Sequence, residues 1–280
     1  MSLRSGRPRR SFALALALVG AAIASWPSAT SLLRRWLSPP EVSAAEAYSN
    51  AAAGAVFDHS RLDTLLRAHV DGDGLVDYEA LRREGATLDA YLSSLASAPF
   101  AEMRRDERLA LLVNAYNAFT LRLVLDHWPV ASIEDIPYGK RWDDRRFRLA
   151  GETLSLNQVE HERIRPRFRE PRIHFALVCA ARSCPPLRAE AYVGARLEAQ
   201  LADQARRVHS DGRWLRFDPA SGTLHLTRLY DWYGSDFLQA APSVEEYVAA
   251  HELSVRAALG AGQKLKVGWL PYDWSLNRRD

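Results

Sequence analysis

Five residues with reactive side chains lie within a stretch of 25 residues: Glu160, His161, His174, Cys179 and Cys184. A cysteine becomes a nucleophile when a neighbouring base or cation lowers the pKa of its thiol from the usual value of about 8.5. His161 and His174 are the imidazoles that can supply that base. Glu160, or an asparagine such as Asn117, can orient the imidazole. One interpretation of this combination is a thiol-dependent hydrolase or transferase.

The two cysteines differ in their expected surroundings. Residues 172–179 form an apolar run of strand length, and Cys179 closes it. Side chains five residues apart point to opposite faces of a regular strand, so His174 and Cys179 would not share a face. Cys184 follows in the loop beyond the strand, where functional residues often lie. We therefore expect Cys184 to be the accessible nucleophile and Cys179 to be a core residue.

The same residues also have non-catalytic interpretations. Only four residues separate the cysteines, so a tight turn can bring their Cα atoms to the spacing of about 4.4–6.8 Å that a disulfide needs. We predict that the two thiols are close enough to bond, with the imidazole of His161 or His174 beside them. A redox thiol pair and a metal site are further possibilities, although the spacing matches no standard zinc pattern. His174 can equally be a buried histidine with a structural partner.

Other common site motifs are missing from the sequence. It contains no glycine-rich phosphate loop and no Gly-x-Ser-x-Gly nucleophile elbow. Asp71, Asp73 and Gly74 resemble half of a calcium loop, but Ala80 stands where such a loop needs a bidentate glutamate. We predict a tight turn here, and no metal and no cofactor for the protein.

Helices must position most of these side chains. Apolar residues at helical spacing predict helices over residues 58–69, 78–98, 106–128, 155–166, 195–209 and 243–259. The third helix carries Asn114 and Asn117 on one surface, where they face either solvent or a neighbouring loop. Ser155 and Gln158 have the spacing of a capping box at the start of the fourth.

Short strands complete the predicted fold. Turn residues between alternating apolar residues predict hairpins over residues 146–154 and 214–226. Residues 172–179 are the best candidate for a central strand, and residues 265–270 predict another. The mixture indicates an α+β class, a predominantly helical single domain around a small sheet with hairpins.

A leader precedes the predicted domain. Residues 3–10 contain four arginines, and residues 11–26 are almost wholly apolar. This is the pattern of a signal peptide or a signal anchor. We predict a leader over residues 1–31, a linker over 32–55 and a single domain over 56–280. The domain would lie in the periplasm or on the outer face of the cytoplasmic membrane, with a single N-terminal membrane anchor possible.

Composition and charge narrow the partners. A hydrophobic share of 48% and a charged share of 25% are typical of globular proteins and exclude a polytopic membrane protein. The formal charge of +3 comes from the leader, because residues 41–280 contain 31 basic and 34 acidic residues. An acidic balance in the domain argues against nucleic acid as a partner. We expect a small molecule or a protein instead.

Four segments together resemble a known family. They are residues 113–118, 154–161, 174–187 and 272–277. In this order they are similar to bacterial exported members of domain-of-unknown-function family 547, and the resemblance spans roughly residues 60–277. It implies a shared fold and no established activity. A thiol-dependent enzyme and a non-catalytic periplasmic binding or assembly module with a structural cysteine pair both remain open.

Overall fold

The structure is a computed structural model that describes residues 54–144 and 146–279. This described part contains eleven α-helices and two small sheets. The predicted α+β class, mostly helical with small sheets and hairpins, is therefore confirmed. The predicted leader and nearly all of the predicted linker lie outside the described residues and stay predictions.

The first half of the fold is helical. Its helices are α1 (Ser60–His69), α2 (Tyr78–Arg83), α3 (Gly85–Leu95), α4 (Arg105–Asp126) and α5 (Tyr138–Arg141). Single 3-10 turns cover Phe100–Glu102 and Ile133–Asp135. The predicted helix over 78–98 is thus divided in two at Glu84, directly before Gly85.

The second half alternates short elements. Its helices are α6 (Leu156–Gln158), α7 (Leu197–Ser210), α8 (Leu229–Trp232), α9 (Gly234–Phe237), α10 (Val244–Ala249) and α11 (Leu253–Gly260). Helix α6 runs directly into a π-helix, Val159–Ile164, and 3-10 turns cover Pro171–Phe175 and Gly194–Arg196. The capping box is present: Ser155 Oγ accepts the Gln158 N–H, and the Gln158 side chain accepts the Ser155 N–H.

Helix α4 forms the centre of the larger hydrophobic core. It is the single described helix long and apolar enough to cross a membrane, and 89% of its most apolar window is buried inside the protein. Burial on nearly every side explains the mainly apolar sequence, because a helix surrounded by other elements needs no polar face. We therefore assign α4 as a core helix.

Two small sheets have different topologies. Strands β1 (Phe147–Leu149) and β2 (Glu152–Leu154) form an antiparallel hairpin. Strands β3 (Leu215–Asp218) and β4 (Thr223–Leu226) form the second predicted hairpin, and β5 (Lys266–Trp269) adds to β4 in parallel. The three-stranded sheet belongs to a second hydrophobic core, which also includes Phe175.

The prediction of a strand over residues 172–179 is wrong. Pro171–Phe175 is a 3-10 turn, and irregular backbone follows as far as Cys179. The run is apolar because it is buried between the two cores. Helix side chains take the place of a strand neighbour: Gln204 on α7 donates to the Phe175 carbonyl, and Asn117 on α4 bonds to residues 176 and 178.

The turn at residues 71–74 has a packing role. Asp71 Oδ1 accepts the N–H groups of Asp73 and Leu75 at 2.9 Å, which closes the turn. Gly74 adopts a φ of +79°, and a Cβ added there would lie 2.5 Å from both Pro186 Cα and Leu187 N. The glycine therefore allows the turn to pack directly against the loop that follows Cys184.

Candidate functional site

One pocket brings five of the six predicted site residues together. It encloses about 300 Å³. Its reactive lining residues are Glu160, His161, His174, Cys179 and Cys184. Its aromatic lining residues are Tyr116, Trp142, Trp232, Tyr233, Tyr272 and Trp274, and Asn157, Leu177 and Leu229 complete the wall. The pocket therefore combines a thiol pair, two imidazoles and a carboxylate inside an aromatic enclosure.

A tight loop brings the cysteines together. Ala180 adopts a φ of +63°, which reverses the chain directly after Cys179. The Cys179 N–H then points to Cys184 Sγ at 2.8 Å, and Cys179 Sγ lies 3.3 Å from the Tyr272 hydroxyl. The two sulfurs and the tyrosine form one hydrogen-bonded group at the pocket wall.

The segment 272–277 holds this loop in place. Ser183 N–H donates to the Asp273 carbonyl, and Asn277 N–H donates to the Ala180 carbonyl. On its other side, Ser132 Oγ donates to the Trp274 carbonyl. The segment is therefore fixed between two loops, and this fixes the positions of the Tyr272 and Trp274 side chains in the pocket.

The hydrogen bonds around Cys179 lower the pKa of its thiol. Hydrogen bonding from the Cys184 thiol lowers the pKa of Cys179, and the Tyr272 hydroxyl and the Ala181 N–H act in the same direction against the opposing effect of burial. Burial, by contrast, raises the pKa of Cys184 well above its usual value. The Cys184 thiol thus donates a hydrogen bond to the Cys179 sulfur.

The prediction that Cys184 is the accessible cysteine and Cys179 the core residue is therefore wrong. Cys184 is 4% exposed and belongs to the hydrophobic core, whereas Cys179 is half-buried. The error follows from the missing strand, because the loop after Cys179 folds back under it instead of leading away into solvent. Of the two cysteines, Cys179 is the more exposed.

The disulfide prediction is not borne out either. Both cysteines are free, and their sulfurs do not stand at disulfide distance. The tight turn was expected correctly, but it directs Cys184 Sγ to the backbone N–H of Cys179. The thiols are hydrogen-bonded neighbours, a geometry that stabilises a thiolate.

His174 belongs to a buried charged group. Its Nε2 lies 2.7 Å from Asp236 Oδ2, and Arg165 binds the same carboxylate with Nε at 2.7 Å and Nη2 at 3.0 Å. Burial alone would raise the pKa of Asp236. The hydrogen bonds from His174 and Arg165 outweigh this effect and hold the pKa of Asp236 well below its usual range. Burial also lowers the pKa of His174.

These partners define the tautomer of His174. A carboxylate only accepts hydrogen bonds, so the Nε2 atom that faces Asp236 carries the proton. Nδ1 is then the basic nitrogen of a neutral imidazole. The Tyr233 ring stacks on the imidazole with 3.9 Å between ring centroids, which fixes the plane of the base.

His161 and Glu160 lie on the π-helix that follows α6. His161 Nδ1 lies 3.1 Å from Arg165 Nη1, and since arginine only donates, this nitrogen accepts. Glu160 is 6% exposed and accepts a hydrogen bond from the Tyr233 hydroxyl. Within residues 54–144 and 146–279, no histidine nitrogen hydrogen-bonds to either sulfur, although both imidazoles and both thiols line the same pocket.

Asn117 lies outside the pocket lining. Its Nδ2 donates to the Ala176 carbonyl and its Oδ1 accepts the Val178 N–H, both at 2.9 Å. Asn114 binds the backbone of Tyr192 in the same manner. The asparagines thus bind neighbouring segments, one of the two predicted alternatives. Asn117 positions the backbone before Cys179 and does not orient an imidazole.

Several important residues were missed by the sequence analysis. Asp236, Arg165 and Tyr233 complete the histidine group, and Tyr272 contacts the Cys179 sulfur. The aromatic-rich segment 230–237 and the motif at 272–277 are visible in the sequence, but their long separation from the cysteines gave no reason to join them. In the described chain, no set of three His, Cys, Asp or Glu side chains could hold a metal ion.

Comparison with known proteins supports the family resemblance over part of the chain. Residues 100–207 match the model of a family described as "Protein of unknown function, DUF547". The matched segment contains three of the four motif segments and both cysteines, but not the motif at 272–277. No curated protein and no solved structure matches the chain.

Proposed function

We propose that this protein is a thiol-dependent hydrolase or transferase in which Cys179 is the nucleophile. The observation that carries the proposal is the set of three donors around the Cys179 sulfur, namely the Cys184 thiol, the Tyr272 hydroxyl and the Ala181 N–H. Donors that favour a thiolate, placed in a pocket of substrate size, are the features of an activated cysteine.

His174 is the general base in this proposal. Asp236 holds its Nε2–H, so Nδ1 is the basic nitrogen, and His174 with Asp236 forms the base and orienting carboxylate of an acyl-transfer site. In this proposal the thiol and Nδ1 come within hydrogen-bond reach when substrate binds. His174 lines the same pocket as Cys179, and Asp236 binds directly to His174. In an acyl transfer the Cys179 sulfur bonds to the substrate carbonyl carbon, and the leaving group departs with the proton from the imidazole. Water or a second acceptor then cleaves the thioester and restores the thiol.

A non-catalytic binding or assembly module is the second candidate. It is favoured by one observation: in the described part of the chain, both sulfurs have their hydrogen bonds with protein groups and neither has one with an imidazole. In that function the cysteines would only hold the loop at residues 179–184 closed.

The proposed location is the periplasm or the outer face of the cytoplasmic membrane, as in an exported bacterial member of the family. The arginine-rich and apolar pattern of residues 1–31 supports it. Cell fractionation with mass spectrometry of the mature N-terminus tests this. Intact protein found only in the cytosol would contradict it.

Trapping of an acyl-enzyme separates the two functions. With p-nitrophenyl acetate we expect a burst of about one equivalent of p-nitrophenol and an acetyl group on Cys179, located by peptide mass spectrometry. Cys179→Ser should abolish the burst, and Cys184→Ser, which leaves the nucleophile in place, should retain one. Absence of a burst would support the binding module, and acetyl on another residue would contradict Cys179 as the nucleophile.

A further inference from the structure

We propose that the pocket binds an organic cation, an amine or quaternary ammonium group, through the Glu160 carboxylate and the surrounding aromatic rings. The inference rests on the proposed function, because it names the chemical class of the substrate's head group.

Glu160 is a buried carboxylate that forms no ion pair with any described side chain. It is 6% exposed, its hydrogen-bond partner is the Tyr233 hydroxyl, and the described residues provide it with no ion pair. Burying a carboxylate without a cation is costly, so such groups are normally paired. Since Glu160 lines the pocket, a ligand can supply the missing charge.

The balance of charge around Glu160 leaves a negative excess. Arg165 is close enough for its charge to interact with Glu160, but its hydrogen bonds go to Asp236 and His161. The group therefore holds two carboxylates and one guanidinium. His174 adds no compensating charge, because burial keeps its imidazole neutral. None of the described residues that line the pocket is a lysine or an arginine.

The pocket walls suit a cation better than an anion. Three of the rings pack as a cluster, with centroid distances of 4.8 Å for Trp232–Tyr272, 4.5 Å for Tyr272–Trp274 and 5.8 Å for Trp232–Trp274. The faces of such rings are electron-rich and attract ammonium groups. A carboxylate or phosphate ligand would instead meet a negatively charged site whose described lining residues include no lysine or arginine.

Size restricts the ligand to a small head group. A volume of about 300 Å³ is at the lower end for small-molecule sites. It accommodates a trimethylammonium or a primary amine with a short chain, and it places that group near Cys179. A substrate with an amine close to its reacting carbonyl carbon fits both features.

A pair of isosteric probes tests the charge requirement. Choline and 3,3-dimethylbutan-1-ol have the same shape, but the second has a neutral carbon in place of nitrogen. Titration calorimetry on the full chain carrying Cys179→Ser, which removes the thiolate, should show that choline binds at least about tenfold more tightly than the neutral alcohol. Equal binding of the two probes, or no binding of choline, would overturn the proposal.

Glu160→Gln identifies the carboxylate responsible. In the same Cys179→Ser background it should remove most of the preference for choline. The matched control is Glu162→Gln, because Glu162 lies on the same π-helix but is exposed and bonds to the Gln158 side chain. A preference that survives in Glu160→Gln overturns the assignment. If Glu160→Gln does not fold, the isosteric pair still tests the charge requirement.

The outcome is distinguishable from that of the proposed function. Choline binding is measured without the nucleophile, whereas the acetyl burst uses a neutral ester and the wild-type thiol. A burst without choline binding overturns the cation site alone. Choline binding without a burst retains the cation site and contradicts the thiol enzyme.

Discussion

In the proposed function, the reactivity of Cys179 depends on a few individual contacts. The sulfur lies 3.3 Å from the Tyr272 hydroxyl, and the Cys184 thiol and the Ala181 N–H also favour the thiolate. Cys184, only five residues later, is buried and keeps its proton. The two cysteines share the Tyr272 hydroxyl as a donor, and they differ in burial, since Cys184 is 4% exposed and Cys179 is half-buried.

Removing one donor should measure its effect. Tyr272→Phe deletes the hydroxyl but keeps the ring, so we expect the pKa of Cys179 to rise by about one unit, the size of one hydrogen bond to a charged group. The measurement is the pH profile of iodoacetamide alkylation at Cys179. Tyr138→Phe, at a tyrosine that is 75% exposed, is the control. An unchanged profile in Tyr272→Phe would contradict the role of the hydroxyl.

At the scale of elements, helix α4 positions the site through its asparagines. Asn117 donates to the Ala176 carbonyl and accepts the Val178 N–H, directly before Cys179. Asn114, one helical turn earlier, makes the same pair of bonds to Tyr192. The two asparagines are therefore matched in chemistry and differ in what they hold.

This pair allows stability and reactivity to be separated. Asn117→Ala and Asn114→Ala should each lower the free energy of unfolding by about 3 kcal/mol, because each leaves a buried N–H and a buried carbonyl without partners. Only Asn117→Ala should also slow Cys179 alkylation several-fold in the folded protein. Urea unfolding and alkylation rates check this. Equal effects on alkylation would contradict the positioning role.

Two glycines in the turn at residues 71–74 provide a second matched pair. Gly74→Ala places a Cβ against the backbone of residues 186 and 187 at a positive φ, and should destabilise the protein by about 3 kcal/mol or more. Gly72→Ala meets no atom within 4 Å and should change stability by less than about 1 kcal/mol. Thermal unfolding measures both. A tolerated Gly74→Ala would show that the loop after Cys184 can move away.

At the scale of the whole molecule, buried histidines couple folding to pH. Burial lowers the pKa of His59 and of His209 to about 4, and lowers that of His174 as well. Well above pH 6.5 these imidazoles are neutral in both the folded and the unfolded state. As the pH falls from about 6.5 toward 4, the unfolded chain takes up protons that the folded protein excludes, so stability is lost across this window.

Denaturation at several pH values tests this coupling. His59 and His209 should each contribute a loss of roughly 3 kcal/mol between pH 7.5 and 4. His59→Phe should reduce the slope of stability against pH in this window. A free energy of unfolding that stays constant from pH 7.5 to 4.5 would contradict the burial of neutral histidines.

The sequence predicts a structural feature well when the interactions that determine it lie within a few residues of each other. The Ser155–Gln158 capping box and both hairpins were predicted, because their signals lie within a few residues. The prediction of a strand over residues 172–179 was wrong, because an apolar run indicates burial but does not identify the hydrogen-bond partners of the backbone. Those partners, Asn117 and Gln204, lie on helices remote in sequence. The choice between Cys179 and Cys184 failed for the same reason, since Tyr272 is 93 residues away.

The central claim is that Cys179 is the activated thiol of this protein. Its most direct test is the rate of iodoacetamide alkylation at each cysteine of the folded wild-type chain from pH 5 to 10, resolved by peptide mass spectrometry. We expect Cys179 to react first, with a midpoint below the usual thiol value of about 8.5, and Cys184 to remain unmodified until well above it. Faster reaction at Cys184, or a Cys179 midpoint at or above 8.5, would contradict the claim.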